Sequence, residues 1–531
     1  MITALACFGL SLLLTLFLVP VAKRVALWLG IVDAPDKHRK LHGRIVPLTG
    51  GLILGTVLPL VLIAAAAVDS DLLPQIRQDG LAILGIVVSC GLLLFVGLTD
   101  DRVGVRGRQK LLAQLVCGVI LLGSFYAIKP TDLFPGWLPI GFSFAFLLIW
   151  IVGSVNAVNL IDGADGLAST VGTIAALGIF AMTFDGQANW ENLLAISLAG
   201  TLIGFLAYNF PPASTFLGDG GSMLIGLLVG ALAIHSSVKQ AASVALCAPV
   251  AIVAVPFFDS FVAILRRRLT GRSIYTVDRG HLHHTLLNRG LGPRRMLAVV
   301  AGLSTIAALG GVLSLKLHTP WFSLLSVGMV VSILVFGRIF GHAEFGLLSH
   351  RFVRLGRSFL VRPRQGRSDV HEQQFRLQGS RNWDYLWEAL TEFAERHRLQ
   401  EVRLDLNLPW LHEGYHAVWQ RRVTEDEKNG WQTKLPLYAE GRVFGHLQLS
   451  GPANQASVYS MLGLLAEMLE SMESVIVRLA SNPASLQDTA IEATEELEAD
   501  QPTGEIAEDL LGVADSGEHD LAPVTADARK R

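Results

Sequence analysis

The chain has 531 residues, of which 51% are hydrophobic and only 17% charged, with a mean hydropathy of +0.47. That balance excludes a soluble globular protein of ordinary composition, and the 52 glycines agree with membrane helices, where Gly is commoner than in soluble ones. The net charge of -2 sums two unlike parts, because residues 1–340 are nearly all apolar runs while 341–531 are polar and charged.

A bilayer-crossing helix needs roughly 20 mostly apolar residues. In chain order this rule predicts spans near 2–22, 49–68, 81–98, 111–128, 142–159, 167–184, 193–210, 221–238, 242–265, 297–315 and 321–340, eleven in all. The first has neither a basic leader nor a small-residue cleavage site, so it reads as a retained anchor. Cys7, Cys90, Cys117 and Cys247 fall inside these runs and read as small packing residues, not disulfides or a metal site. With the N-terminus outside, the inside loops hold eighteen Lys and Arg residues and the outside loops four (Arg77, Lys129, Lys239 and Lys316). The positive-inside rule then puts the C-terminus in the cytoplasm.

Five polar loops share that inner face: 23–48, 99–110, 159–166, 208–220 and 266–296. "FVGLTDDRVGVRGRQK" ends an apolar run with Asp100 and Asp101 and continues to Lys110. "NAVNLIDGADGL" spaces Asn156, Asn159, Asp162 and Asp165 three apart, near one helix face, until Gly163 and Gly166 break the helix. "FLGDGGS" sets Asp219 among glycines before a span, where free helix N–H groups suit phosphate and the carboxylate suits a divalent cation. "DRGHLHHTLLNRG" groups His281, His283 and His284 with Asp278 and Arg279. Singly, the Asp pair could be a solvated helix end and Gly-Asp-Gly a turn, and the histidines could suggest zinc, though no Cys lies nearby and His-x-His-His is not a typical ligand spacing. Polar groups at membrane depth are costly, however, and they mark sites or pathways. Oxygen ligands without thiolates favour Mg²⁺, with Mn²⁺ as the alternative, and the surrounding Arg, Lys and His favour phosphate chemistry. Residues at a membrane face suit transfer between a soluble phosphate compound and a lipid. An ion-coupled transporter would place its carboxylates mid-span instead. A CDP-alcohol phosphotransferase needs Asp-Gly-x-x-Ala-Arg, and after Asp165 the next acidic residue is Asp185.

Together these motifs resemble the polyprenyl-phosphate N-acetylhexosamine-1-phosphate transferase family over about 20–340. "DAPDKHRKLHGRIVPLTGG" (33–51) is similar to the family's first cytoplasmic loop, and the Asp-Asp pair, the Asn/Asp ladder and the Gly-Asp turn follow in family order. The His-x-His-His ending resembles the branch that transfers N-acetylglucosamine 1-phosphate to start O-antigen, common-antigen or teichoic-acid linkage units. "SIYTVDRGHLHH" lacks the Phe and Pro that this branch commonly carries before its Asp-Arg-x-His.

The resemblance implies transfer of N-acetylhexosamine 1-phosphate, from a UDP-sugar to undecaprenyl phosphate, releasing UMP and initiating cell-envelope polysaccharide synthesis. A different UDP-sugar for exopolysaccharide is the alternative. It implies Asn159 and Asp219 as Mg²⁺ ligands, and Asp100, Asp101, Asp162, Asp165 and His281 as catalytic residues, with Asp100 favoured for the proton. Lys110, Asn156, Arg267, Arg279, His283 and His284 would bind substrate. The expected partners are undecaprenyl phosphate, a UDP-N-acetylhexosamine and membrane lipids, with no nucleic acid; a homodimer and a regulatory partner of the C-terminal domain are further expectations.

After the spans, "RFVRLGRSFLVRPRQGR" (351–367) suits anionic headgroups. The expected fold class is an all-α polytopic membrane protein of about eleven transmembrane helices, with a small cytoplasmic α/β domain at the C-terminus. The expected divisions are 1–340 membrane transferase domain, 341–376 basic linker, 377–481 α/β domain and 482–531 acidic disordered tail. The location implied is a bacterial inner membrane.

Overall fold

The structure, a computed structural model, describes residues 1–33, 45–125, 139–237, 242–269, 280–346, 348–349, 370–378, 383–408, 411, 413–421, 430–439, 442–452 and 458–480. The first part of the chain is a bundle of helices, as apolar sequence in lipid demands: only a helix or a closed barrel satisfies every backbone polar group without water. In order they are α1 (Ile2–Leu29), α2 (Gly50–Val68), α3 (Leu72–Gln78), α4 (Gly80–Val103), α5 (Gly107–Ser124), α6 (Ile140–Ile161), α7 (Leu167–Thr183) and α8 (Trp190–Asn209). There follow α9 (Gly218–Ser237), α10 (Ala242–Ile252), α11 (Ala254–Leu269), α12 (Leu282–Asn288), α13 (Pro293–Lys316) and α14 (Trp321–Phe336).

Among the described residues, seven helices are long and apolar enough to cross a membrane, and eight if the bent pair of α10 and α11 is one span. The other predicted runs fall on α5, whose first turns are charged, and on α7 and α14, which are 17 and 16 residues long. The run at 242–265, read from sequence as one span, is broken by 81° between Ile252 and Ala254. The cause is local: Pro256 has no N–H to give Ile252, so the ladder cannot continue through that turn. Downstream of the break, α11 is amphipathic and ends in Arg266, Arg267 and Arg268.

At the centre lies α9, the most buried of the long helices, against α2, α4, α6, α7 and α10. The polar loops meet at one end of the bundle. Lys23 Nζ donates to Ser214 Oγ (2.7 Å), the Thr49 and Thr215 hydroxyls pair (2.7 Å), Ala213 N–H donates to Asp165 Oδ2 (2.9 Å), and Arg294 Nε reaches Pro211 O (3.3 Å). A two-residue ladder of β1 (Val32–Asp33) with β2 (Val46–Pro47) borders the same end. The loops predicted to lie outside join at the opposite end, where Thr3 bonds Asp69 (2.9 Å), Trp190 Nε1 bonds Asp79 (2.9 Å) and Lys316 bonds Phe184 O (2.9 Å).

The C-terminal part is a five-stranded antiparallel sheet in the order β3-β5-β4-β7-β6, from β3 (Val370–Gln378), β4 (Glu401–Leu408), β5 (Glu413–Arg421), β6 (Gly430–Ala439) and β7 (Arg442–Pro452). Alternation along β4 buries Val402, Leu404, Leu406 and Leu408, and α15 (Asp384–Arg396) packs against that strand, with Leu386, Trp387 and Leu390 buried. The sheet thus takes in β3, from a segment assigned mostly to the linker on sequence. Two helices follow the sheet, α16 (Val458–Ser471) and α17 (Glu473–Ala480). The basic stretch 351–367 and the tail beyond 480 lie outside the described residues.

Candidate active site

The site is built where α9 begins. The first N–H groups of a helix have no partner within it, and Asp101, from the last turn of α4, supplies one. Its carboxylate accepts from the N–H of Asp219 (2.8 Å) and of Gly220 (3.1 Å). The two helices can come this close because a Cβ on Gly97 would lie 2.4 Å from the Gly220 Cα. Gly218 has φ 74°, and a Cβ there would sit 2.7 Å from Asp101 Oδ2. The N–H groups that suggested a phosphate site on sequence are therefore occupied by a carboxylate of the chain itself.

Beside this cap, Lys110 at the start of α5 bridges two acids. Its Nζ lies 2.5 Å from Asp219 Oδ2 and also pairs with Asp100, whose other oxygen accepts the Val105 N–H (2.5 Å). Asn159 donates from Nδ2 to Asp219 Oδ1 (2.8 Å) and to Ser222 Oγ (2.9 Å), which leaves its own Oδ1 for another partner. Burial pulls the Lys110 ammonium down, but the charges of Asp219 and Asp100 more than offset it and hold the group above the usual lysine value. Asp162, just past α6, is pushed well above the carboxylate range by burial and by the negative charges of Asp219, Asp101 and Asp165. The geometry thus gathers Asp100 and Asp219 on Lys110, with Asp101 on the Asp219 N–H and Asp162 close enough to feel the charges of Asp219 and Asp101.

Other sequence-predicted residues sit differently. Asn156 is engaged by Gln114, donating to its Oε1 (2.6 Å) and to Val152 O (2.8 Å). Asp165 anchors the 211–213 turn through the Ala213 N–H (2.9 Å). Arg279 lies outside the described residues, as do Asp278 and residues 34–44 of the first polar loop. Arg267 is buried on α11.

The histidines form a second group. His283 is buried against the Asp162–Asp165 loop, where a Cβ on Gly163 would meet its Nε2 at 2.5 Å. Both its ring nitrogens are buried without a hydrogen bond, and burial, with the neighbouring His284, drops its pKa to about 3. Burial thus favours the neutral imidazole, which carries a dipole and no net charge. His281 stacks parallel to it (centroids 6.0 Å apart, planes 11°), and His284 lies tilted beside it at 4.2 Å. His281 Nδ1 bonds Asp259 Oδ2 (2.9 Å), a fully buried residue of α11 that the sequence reading passed over. A lone carboxylate inside the 242–265 apolar run was the available signal. The Arg266–Glu344 pair (2.6 Å) was likewise missed, because its members are 78 residues apart.

Among the described residues, no three His, Cys, Asp or Glu side chains converge to hold a cation alone. The donor set still fits Mg²⁺. Asp100 and Asp219 share the Lys110 ammonium while Asp101 and Asp162 lie close to Asp219, all the donors are hard oxygens, and Mg²⁺ takes one or two carboxylates and completes its shell with water and substrate phosphate.

Residues 83–237 match the family model described as glycosyl transferase family 4. The chain is 30% identical over 359 residues to a Bacillus subtilis (strain 168) protein described as a probable undecaprenyl-phosphate N-acetylglucosaminyl 1-phosphate transferase, covering 66% of this chain and 95% of that one. It is 31% identical over 367 residues to the decaprenyl-phosphate N-acetylglucosaminephosphotransferase of Mycolicibacterium smegmatis (62% and 87% of the two chains). It is 26% identical over 368 residues to the undecaprenyl-phosphate alpha-N-acetylglucosaminyl 1-phosphate transferase of Yersinia pestis (66% and 94%).

Proposed function

The chain belongs to the polyprenyl-phosphate N-acetylhexosamine-1-phosphate transferase family, multi-pass membrane enzymes of the glycosyl-1-phosphate transferase type, and we propose that it moves N-acetylglucosamine 1-phosphate from UDP-GlcNAc to undecaprenyl phosphate. UMP leaves, and the lipid-linked sugar diphosphate begins a cell-envelope polysaccharide. The observation that carries this reading is Lys110 set between Asp100 and Asp219, with Asn159 on the same carboxylate, at the bundle end where the polar loops meet.

One phosphoanhydride is exchanged for another, so the reaction is near balance. Positioning and charge neutralisation are then the chief demands on the protein. Lys110 holds the acceptor phosphate, and Asp100 takes its proton when the lipid arrives protonated; the second phosphate pKa of about 6 makes a strong base unnecessary. Asp101 keeps the start of α9 in place. Asn159 and Asp219 hold Mg²⁺, which supplies charge neutralisation at the diphosphate when bound. Asp162 serves the nucleotide side, with Asp165 fixing the loop beneath it. His281, His283, His284, Arg267 and Arg279 serve the diphosphate and sugar, and Asn156 supports Asn159 from the same helix.

The protein takes eleven spans in this reading, counting α5, α7, α14 and the bent pair α10–α11. The N-terminus is outside, and the site and α/β domain are in the cytoplasm at the bacterial inner membrane. The excess of Lys and Arg in the loops at the site's end supports that orientation. The α/β domain is a regulatory or docking module.

Direct attack by the lipid phosphate is the mechanism proposed. Incubation with radiolabelled UDP-GlcNAc and Mg²⁺, without lipid, tests it: no label stays on the protein if attack is direct, and a trapped phospho-enzyme overturns it. A panel of UDP-sugars assayed with undecaprenyl phosphate tests the donor, and UDP-GlcNAc is expected to be used best.

A further inference from the structure

The loop that carries His281 is held by α11 at two points. Asp259 and Arg266 are seven residues apart, two turns of one helix, so they share a face, and both are buried. Arg266 Nη2 donates to Gly280 O (2.9 Å), while its Nε bonds Glu344 Oε1 (2.6 Å), which fixes the guanidinium. Asp259 Oδ1 accepts the Leu282 N–H (2.7 Å) and Oδ2 faces His281 Nδ1 (2.9 Å). Three consecutive residues, Gly280, His281 and Leu282, are thereby pinned on both sides of one imidazole.

We propose that Asp259 is the positioning residue for His281, holding the imidazole with its proton on Nδ1 so that Nε2 is presented to the substrate. An ionised carboxylate only accepts hydrogen bonds, so the nitrogen facing it carries the hydrogen and the opposite nitrogen is left to serve a ligand. A charge inside an apolar helix is expensive, and Leu282 N–H alone would be satisfied by a neutral acceptor. The carboxylate therefore answers to the imidazole. The ring it fixes lies parallel to His283, which rests on Gly163, so the clamp aligns His281 with the loop of Asp162 and Asp165. The catalytic arm of the test rests on the transferase reading, while the structural arm does not.

In the structural arm, the purified full chain is labelled with ¹⁵N-histidine in detergent, and the His281 signal is identified by its loss in His281→Gln. The neutral form is expected to be the Nδ1–H tautomer. An Nε2–H tautomer overturns the proposal, with no Asp259 variant needed. In the catalytic arm, Asp259→Asn turns an amide N–H toward the ring and is expected to lower kcat by about 10²-fold or more, as tautomer-fixing carboxylates elsewhere do. KM for UDP-GlcNAc should stay within about threefold, because binding is not what is lost. The same change in a His281→Gln background should then cost almost nothing further, and Asp259→Glu should restore part of the rate. An equal loss in both backgrounds would show a merely structural carboxylate and sink the idea. If the wild type releases no UMP, the transferase reading falls, and the tautomer alone decides the positioning role.

Discussion

Lys110 is the side chain on which the site's charge balance turns, since it alone among the described residues bridges Asp100 and Asp219. Lys110→Ala is expected to lower kcat/KM for the lipid acceptor by about 10²-fold or more, with initial-rate kinetics as the check. Asp101 has a different job. Asp101→Ala strips the cap from α9 and should cost about 1–2 kcal/mol of stability besides activity, read from thermal unfolding in detergent. His283 gives a pH signature. Its folded pKa of about 3 lies below the unfolded value of about 6.5, so between these pH values only the unfolded chain binds the proton. The stability tied to it is present above about pH 6.5 and is lost as pH falls towards 3, on the order of 1 kcal/mol per unit. His283→Asn should flatten that acid slope; an unchanged slope would contradict burial as the cause. Asp100, Lys110, Asn159 and Asp219 were all legible in the sequence, because polar residues ending apolar runs stand out. Their division of labour was not. That Asp101 caps a helix and Asp165 pins a turn depends on backbone N–H groups brought from more than 40 residues away.

The site depends on α4 and α9 touching at Gly97 and Gly220. Even one methyl at Gly97 would meet backbone, so Gly97→Ala should separate the helices, costing about 1–3 kcal/mol. By shifting Asp101 and Lys110, it should also reduce kcat by ten-fold or more. Gly91→Ala, on the same helix with nothing within 4 Å, is the control and should be nearly neutral in both measurements. Helix existence was readable from apolar runs of bilayer length. The 81° break in the α10–α11 pair was hidden, because hydropathy sees Pro249 and Pro256 as part of one apolar stretch. The break gives α11 a direction of its own and lets Asp259 and Arg266 reach the histidine loop, a relation that no local pattern encodes. In the C-terminal part, β4 carries a strict alternation of apolar and polar residues, whereas β3, with its polar "VHEQQFRLQ", carries no such pattern and is held by its pairing with β5.

Across the whole molecule, the described parts of the five polar loops predicted to share a face meet at one end of the bundle, while the loops between them bond to one another at the other. The proposed function puts the chemistry at the first of these ends and makes the α/β part an addition to it. A chain ending at residue 369, before β3, should retain most of its basal transfer activity; loss of activity in folded truncated protein would make that part integral to catalysis. The most direct test of the central claim is release of UMP from UDP-GlcNAc by purified protein in detergent, with and without undecaprenyl phosphate and Mg²⁺. The account predicts UMP and a lipid-linked sugar diphosphate only when both are present, and abolition by EDTA. No UMP from any UDP-sugar under those conditions would contradict it.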